Sequence, residues 1–426
     1  MIKFLLKGIL RDRSRSLFPI ITIAMGVALT VLLYAWMDGA IGDMIDMSAD
    51  MSTGHVKVMS YEYYQNMDQA PIDLALTNRE ELLARFRETH PEMDWVARIN
   101  FGGLLDVPGK DGETQAQATV AAMAMDILTP GTGEIQRMSL DKSLVRGRLP
   151  QAPTEILIGD KLATTLEIEM GDEVTLISST MYGAMSFTNF TISGTVKFGI
   201  PVLDKGGAIV ADLQGAGMAL DMADAATEIL GIYRNGEYTR EGATVVRDDI
   251  MAMFDNPDDP YRPYVIRLED QNDMGPLLDF AGAMLGILSF VFIGAMFVVL
   301  WNTGLMSSLR RYGEMGLRLA VGEAKGQIYR RLLLESIMIG VIGTVIGTAL
   351  GLLIAWPLQT HGFNISEMMG ETTMFFRDVM TARITPPCFY VGFIPGLIAP
   401  LLGTAVAGRG IYKRQTASLF KEFESY

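Results

Sequence analysis

Chemistry at neutral pH draws first on histidine, cysteine and clustered carboxylates, and this chain offers them sparsely. His55, His90 and His361 lie far apart, no H-E-x-x-H pairs two of them, and Cys388 is the only cysteine. A zinc or thiol site needs several such groups converging, so metal and cofactor binding have little to build on, and a lone cysteine forms no intramolecular disulfide. Serine and aspartate are plentiful over 46–274, but no nucleophile-elbow pattern accompanies them. A G-x-x-x-x-G-K-S/T loop is missing; around Gly322–Gly326 both the spacing and the lysine are wrong for cradling phosphates. The chain therefore reads as a non-enzyme with no nucleotide site of its own. What remains is a run of interleaved cations and apolar residues containing Arg310, Arg311, Glu314, Met315, Gly316, Arg318, Val321, Gly322 and Lys325. A short helix there turns Leu317, Leu319 and Val321 toward a partner, while Arg310, Arg311, Arg318 and Lys325 offer charge-assisted hydrogen bonds. The chemistry is docking.

The elements that would carry this segment are legible from hydropathy. The 426 residues are 49% hydrophobic, with a mean hydropathy of +0.25, between soluble proteins and all-membrane bundles. Apolar stretches at 17–41, 277–301, 332–356 and 389–407 each approach the roughly 20 residues that cross a bilayer as a helix. The first exceeds the apolar core of a secretory signal and has no small-x-small site after it, which favours an uncleaved anchor over a cleaved leader. Basic residues crowd before the first stretch, in the 302–331 loop and after the fourth, whereas the 357–388 loop has only Arg377 and Arg383. Both termini and the 302–331 loop are thus expected in the cytosol, and the 45–275 insert outside.

That insert is acidic, with 37 Asp and Glu against 18 Lys and Arg over 46–274, a net of −19. Such a surface argues for a solvated domain and against a nucleic-acid partner. Strands are expected at 56–59, 95–107, 115–125, 156–158, 173–177, 190–195, 208–210, 228–233 and 264–268, with helices from Thr77 or Asn78 to Thr89 and over 242–254. The strand–helix–strand order at both ends suggests two subdomains, one (45–135 and 222–272) interrupted by the other, a β-rich part (136–221). The fold class is four transmembrane helices with a large α+β domain between the first and second.

Gly343, Gly347 and Gly351 repeat a small-xxx-small spacing that lets two backbones approach. Packing inside the chain is favoured over a seam between two copies. Pro395 and Pro400 predict a kink in the fourth helix. Residues 1–16 read equally as an amphipathic helix on the inner leaflet or as a plain basic flank. Met37, Met44, Met47 and Met51 form core or, less often, a pliable apolar surface.

The run Arg311-x-x-Glu314-Met315-Gly316-x-Arg318-x-Ala320-x-Gly322, followed by Ile328 and a membrane helix, resembles the signature of FtsX-like, MacB-type (type VII) ABC transporter permeases. Met315 and Glu323 depart from the family's isoleucine and small residue. Arg146-Gly147-Arg148, Glu155–Gly159 and Gly171-Asp172-Glu173-Val174 are similar to the family's outer-domain pattern. The resemblance implies that the 310–325 segment is a coupling helix seated in a separate cytosolic ABC ATPase, present in two copies. It also implies a second permease protomer, identical or homologous, in a bacterial inner membrane, with ATP-driven motion transmitted outward to lipoprotein, peptide or amphipathic cargo. A periplasmic or outer-membrane partner belongs to the same picture, and membrane lipids surround the helices. Relatives of the division type instead regulate a cell-wall hydrolase, and that reading stays open here. Lipoprotein-releasing relatives carry a long proline-containing hook hairpin; here the counterpart, Ser178–Thr188, is shorter and lacks proline, with Thr180, Met181, Tyr182, Met185 and Phe187 as its candidate contact residues.

Overall fold

The computed structural model describes residues 13–109, 111, 113–198, 207–364 and 379–409. The expectations for residues 1–12, for 365–378 of the 357–388 loop and for the basic tail from 410 lie outside the described residues. The chain forms two compact units, one helical and one, from Gly42 to Leu278, of mixed α and β.

Among the described residues, four helices are long and apolar enough to cross a membrane. The first, α1, is Arg13–Ser48, and a π turn, Ala49–Thr53, follows it. The second and third run Met274–Leu309 and Lys325–Thr360. All three outrun the apolar windows 17–41, 277–301 and 332–356, because hydropathy marks only the lipid-solvated part of a continuous hydrogen-bond ladder. The fourth is irregular: after a 3-10 turn at Pro386–Phe389, a helical run passes through a π turn at Ile394–Ile398 into Ala399–Gly408, and that π turn stands where a kink was expected. Pro395 sits in the first turn of this run, where a missing N–H costs least, and Pro400 follows just after the π turn.

The other unit is built on one ten-stranded sheet. Its strands are β1 Val56–Ser60, β2 Met93–Pro108, β3 Thr114–Met125, β4 Leu144–Gly147, β5 Glu155–Gly159, β6 Glu173–Ser179, β7 Met185–Val196, β8 Ala208–Asp212, β9 Glu228–Tyr233 and β10 Pro263–Arg267. They lie in the order β10-β1-β9-β2-β3-β8-β5-β7-β4, with β6 pairing β2 and β7. Helix α2, Arg79–Thr89, connects β1 to β2, and both strands run antiparallel to β9 between them. Helix α3, Arg240–Met253, connects β9 to β10, and these flank β1 in the same manner. Two split β-α-β units therefore interlock. Leu82, Leu83 and Phe86 of α2 and Ala243, Val246 and Ile250 of α3 enter one core with Trp95, Ile99 and Ile229.

The segment 136–221, expected as a separate β-rich part, does not close a sheet of its own. Strand β8 runs parallel to β3, and β6 pairs with the far half of β2. The reason is length: β2 spans 16 residues, enough to serve both parts. Both ends of the unit are tied to one place. The amide of Gln271 donates to the Thr53 carbonyl at 3.1 Å, and β1 pairs with β10. Fully buried Arg98 donates to Glu134 at 2.8 Å and to the carbonyls of Met51 and Asp50 at 2.6 and 2.7 Å. Those carbonyls end a helical run, where no backbone donor follows, so a buried guanidinium is well matched to them.

Candidate functional site

The docking segment forms a short helix, Tyr312–Ala320, separated from the second apolar helix by Arg310 and Arg311. Nine residues with two internal glycines are marginal as an isolated helix, so tertiary packing must hold it. Tyr312 and Met315 supply that packing, buried against Ile328 and Leu332 at the start of the third helix with Leu319 beside them. The Tyr312 hydroxyl donates to the Ala407 carbonyl at 2.6 Å, and the Tyr329 hydroxyl donates to Ala405 at 3.3 Å. Both acceptors belong to the last turn of the fourth helix, where the Arg409 N–H is shared among several carbonyls, Ala405 included. Arg311 makes an ion pair with Glu335 of the third helix. Buried beside that pair, Thr404 Oγ1 donates to Ser336 Oγ at 3.1 Å.

The C-terminus of the short helix is a Schellman turn. Glu323 N–H reaches the Arg318 carbonyl at 3.0 Å and Gly322 N–H that of Leu319 at 3.1 Å, with Gly322 at φ +95°. Only glycine adopts that conformation cheaply, which gives the glycine of the motif its physical reason. Glu323, a departure from the resembled pattern, pairs with Arg331 at 2.7 Å.

The expected docking residues thus divide between two faces. Leu317 is 58% and Val321 82% exposed, and together with Arg318, Gly322 and Glu323 they line a shallow depression. Arg310 is exposed ahead of the helix and outside that depression, Arg311 and Glu314 are half-buried in the turn that starts the helix, and Lys325 begins the third helix. Met315, 4% exposed, and Gly316 point inward, a correction to their expected place on the docking surface. The third helix is itself apolar, and it takes the Met315 side of the segment. Leu319 is half-buried for the same reason.

Gly343, Gly347 and Gly351 face the first helix. A Cβ on Gly343 would lie 2.7 Å from Ile23, one on Gly347 2.5 Å from the Ala24 carbonyl, and one on Gly351 2.9 Å from that of Ala28. The stripe is filled within the chain. Met37, Met44, Met47 and Met51 are half-buried.

In the α/β unit, β6 and β7 form a hairpin closed at Thr180–Ala184. Thr180 N–H donates to the Ala184 carbonyl at 2.7 Å, and its Oγ1 accepts from Ala184 N–H at 3.1 Å. Tyr182, Met185 and Phe187 stand exposed there. Met181 instead packs on the core and donates from its N–H to the Leu220 carbonyl at 2.8 Å, so it leaves the expected contact group. Arg148 holds Glu155 through two bonds of 2.6 and 2.7 Å, and this keeps the Glu155 carboxyl down at about 2. Arg146 pairs with Asp160 at 2.7 Å. The two arginines of the outer-domain pattern therefore clamp the ends of β5.

Sequence reasoning missed Tyr312 and Tyr329. Their acceptors lie 95 and 76 residues away, and an aromatic at a helix start carries no signal for so distant a carbonyl.

Residues 16–259 match the family model described as MacB-like periplasmic core domain, and 286–416 match the one described as FtsX-like permease C-terminal. The lipoprotein-releasing system transmembrane protein LolC of Xylella fastidiosa strain Temecula1 is 22% identical over 353 residues, 81% of this chain and 77% of that protein. The macrolide export ATP-binding/permease protein MacB 1/2 of Paracoccus denitrificans is 30% identical over 126 residues, 28% of this chain and 17% of that protein. Among solved structures, the periplasmic region of MacB from Actinobacillus actinomycetemcomitans is 9% identical with a TM-score of 0.35, covering 53% of this chain and 93% of that one.

Proposed function

The chain belongs to the family of ABC transporter permeases with an FtsX-like C-terminal region and a MacB-like periplasmic core domain, and on that premise we propose that it couples ATP hydrolysis by a separate subunit to motion outside the cytosol. The exposed Leu317–Arg318–Val321 face of the Tyr312–Ala320 helix docks in that ATPase, which binds ATP and Mg2+ and is present in two copies. A second permease protomer completes the complex. The observation that carries the reading is the division of this helix into two faces. The inner one is bonded to the third and fourth helices through Arg311–Glu335 and Tyr312–Ala407, and the outer one carries two large apolar side chains beside a cation. An exposed leucine and valine flanked by arginine suit a protein groove better than water.

Closure of the ATPases pushes on this rod, and the rod can move only with the third and fourth helices. The site is a force-transmitting joint, and the cargo is a lipoprotein, peptide or amphipathic molecule acted on outside the cytosol, in a bacterial inner membrane with both termini inside. The experiment is co-purification of the ATPase with Arg318→Glu/Val321→Asp. Loss of the ATPase with an unchanged elution profile of the permease is expected; retention removes the docking role.

A further inference from the structure

A cleft of about 860 Å³ opens in the α/β unit between α2, the start of β2, the loop after β3 and the helix Leu213–Ala219. It exists because the sheet comes apart there. Strand β3 pairs with β2 only as far as Met125 opposite Arg98, so Met93–Ala97 have β9 on one side and, among the described residues, no strand on the other. The chain after β3 does not continue alongside. Asp212, which caps the helix Leu213–Ala219, accepts the N–H groups of Ile127 and Leu128 at 3.1 Å each and draws the loop off the sheet. Where a neighbouring strand would donate, the Trp95 carbonyl takes Arg87 Nη2 at 3.2 Å.

The charges around the cleft are committed unevenly. Asp94 is held by Arg137 at 2.9 Å and Arg234 at 2.8 Å, and Glu80 by Arg79 at 2.8 Å. Asp126 accepts Thr129 N–H and Asp212 accepts Gln214 N–H. Arg87, by contrast, has a backbone carbonyl as its partner and no carboxylate among the described residues, and Arg79 Nε is buried with no hydrogen-bond partner. The floor is apolar, with Leu83, Met93 and Trp95 buried below and Met218 exposed at the rim.

We propose that this cleft takes an extended peptide segment as an added strand along Met93–Ala97, with an acidic side chain of the guest on Arg87. Along this edge the His90 carbonyl holds the Met93 N–H at 3.2 Å and Arg87 holds the Trp95 carbonyl. The guest's acid draws the guanidinium off that carbonyl, which then joins a ladder at the usual spacing of about 4.8 Å, while the floor takes alternate apolar side chains. The site stands on the α/β unit alone and does not depend on the docking of an ATPase.

The test uses the full-length protein in detergent and a fluorescein-labelled decapeptide of alternating glutamate and valine, read by anisotropy. Saturable binding is expected, at least tenfold weaker when every backbone amide of the probe is N-methylated. Arg87→Gln, an exposed change, should weaken the unmodified probe about tenfold while leaving the melting temperature in place. Replacing the probe's glutamates with glutamine should weaken it comparably. Equal binding of the methylated probe overturns the added strand, and unchanged affinity in Arg87→Gln overturns the acid contact. No binding of the unmodified probe at millimolar concentration overturns the site as a whole.

Discussion

The two units cohere by opposite means. The helical unit is held by absent side chains: glycines at 343, 347 and 351 let backbones touch, and its outward faces, Phe290 and Val298 among them, are bare and apolar. The α/β unit is held by large side chains inside and by arginine inside too, with Arg98 fully buried against Glu134. A helix in lipid gains nothing from apolarity toward its neighbour, so close approach must substitute; a sheet in water gains from every buried methylene. Added volume should therefore injure the first unit, and a removed charge the second.

The largest effect is expected at Arg98. Arg98→Leu leaves two carbonyls without their donor and Glu134 with Arg137 alone, at 3.3 Å, a loss of about 3 kcal/mol, the lower end of the usual cost of breaking a buried pair. Limited proteolysis of the 42–278 region should become rapid, and Arg98→Leu/Glu134→Leu should recover much of the resistance. If the single change is silent, buried charge does not organise this unit.

Next comes Gly347→Leu, whose Cβ would fall 2.5 Å from the Ala24 carbonyl. Overpacking of this kind costs about 1–3 kcal/mol, and the melting temperature in detergent should drop. Gly286→Leu is the internal control. Nothing lies within 4 Å of a Cβ there, so a shift of no more than about 0.5 kcal/mol is expected. Equal effects at both positions would erase the contrast between filled and open glycines.

Smaller still is Tyr312→Phe, which keeps the ring and removes the bond to Ala407. About 1 kcal/mol is expected, with ATPase co-purification retained and ATPase stimulation reduced. A phenylalanine variant that stimulates normally would move the joint to Arg311–Glu335.

The smallest effect is at Glu155. Arg148 lowers its folded-state pKa to about 2, so the unfolded chain binds more protons between the ordinary carboxylate range and pH 2. Stability from this pair is full above that range and lost as pH falls through about 2. Because Arg148 is exposed, Glu155→Gln should cost under about 1 kcal/mol at pH 7, and the difference from the parent should vanish in acid.

Legibility in the sequence followed the range of the interaction. The apolar helices and the strands of 93–108 and 114–125 were readable because period and composition are local properties. The irregularity around Pro395, a π turn, was readable for the same reason. Sheet continuity through 136–221 was not, since register between β3 and β8 joins residues about 87 apart and no local pattern encodes it. The Tyr312–Ala320 helix was half-readable. Met315, Leu317 and Val321 are equally apolar, and only the third helix, supplying Ile328 and Leu332, decides which of them is covered. The opening of the cleft beside Met93–Ala97 rests on Asp212, a residue with no motif around it.

Single-cysteine variants Val321→Cys and Met315→Cys, each with Cys388→Ser, test the central claim most directly when treated with a short bifunctional crosslinker in inside-out vesicles. The account predicts a covalent adduct of the ATPase with the Val321 variant and none with the Met315 variant. Adducts from both positions alike, or from neither while the two proteins co-purify, would contradict it.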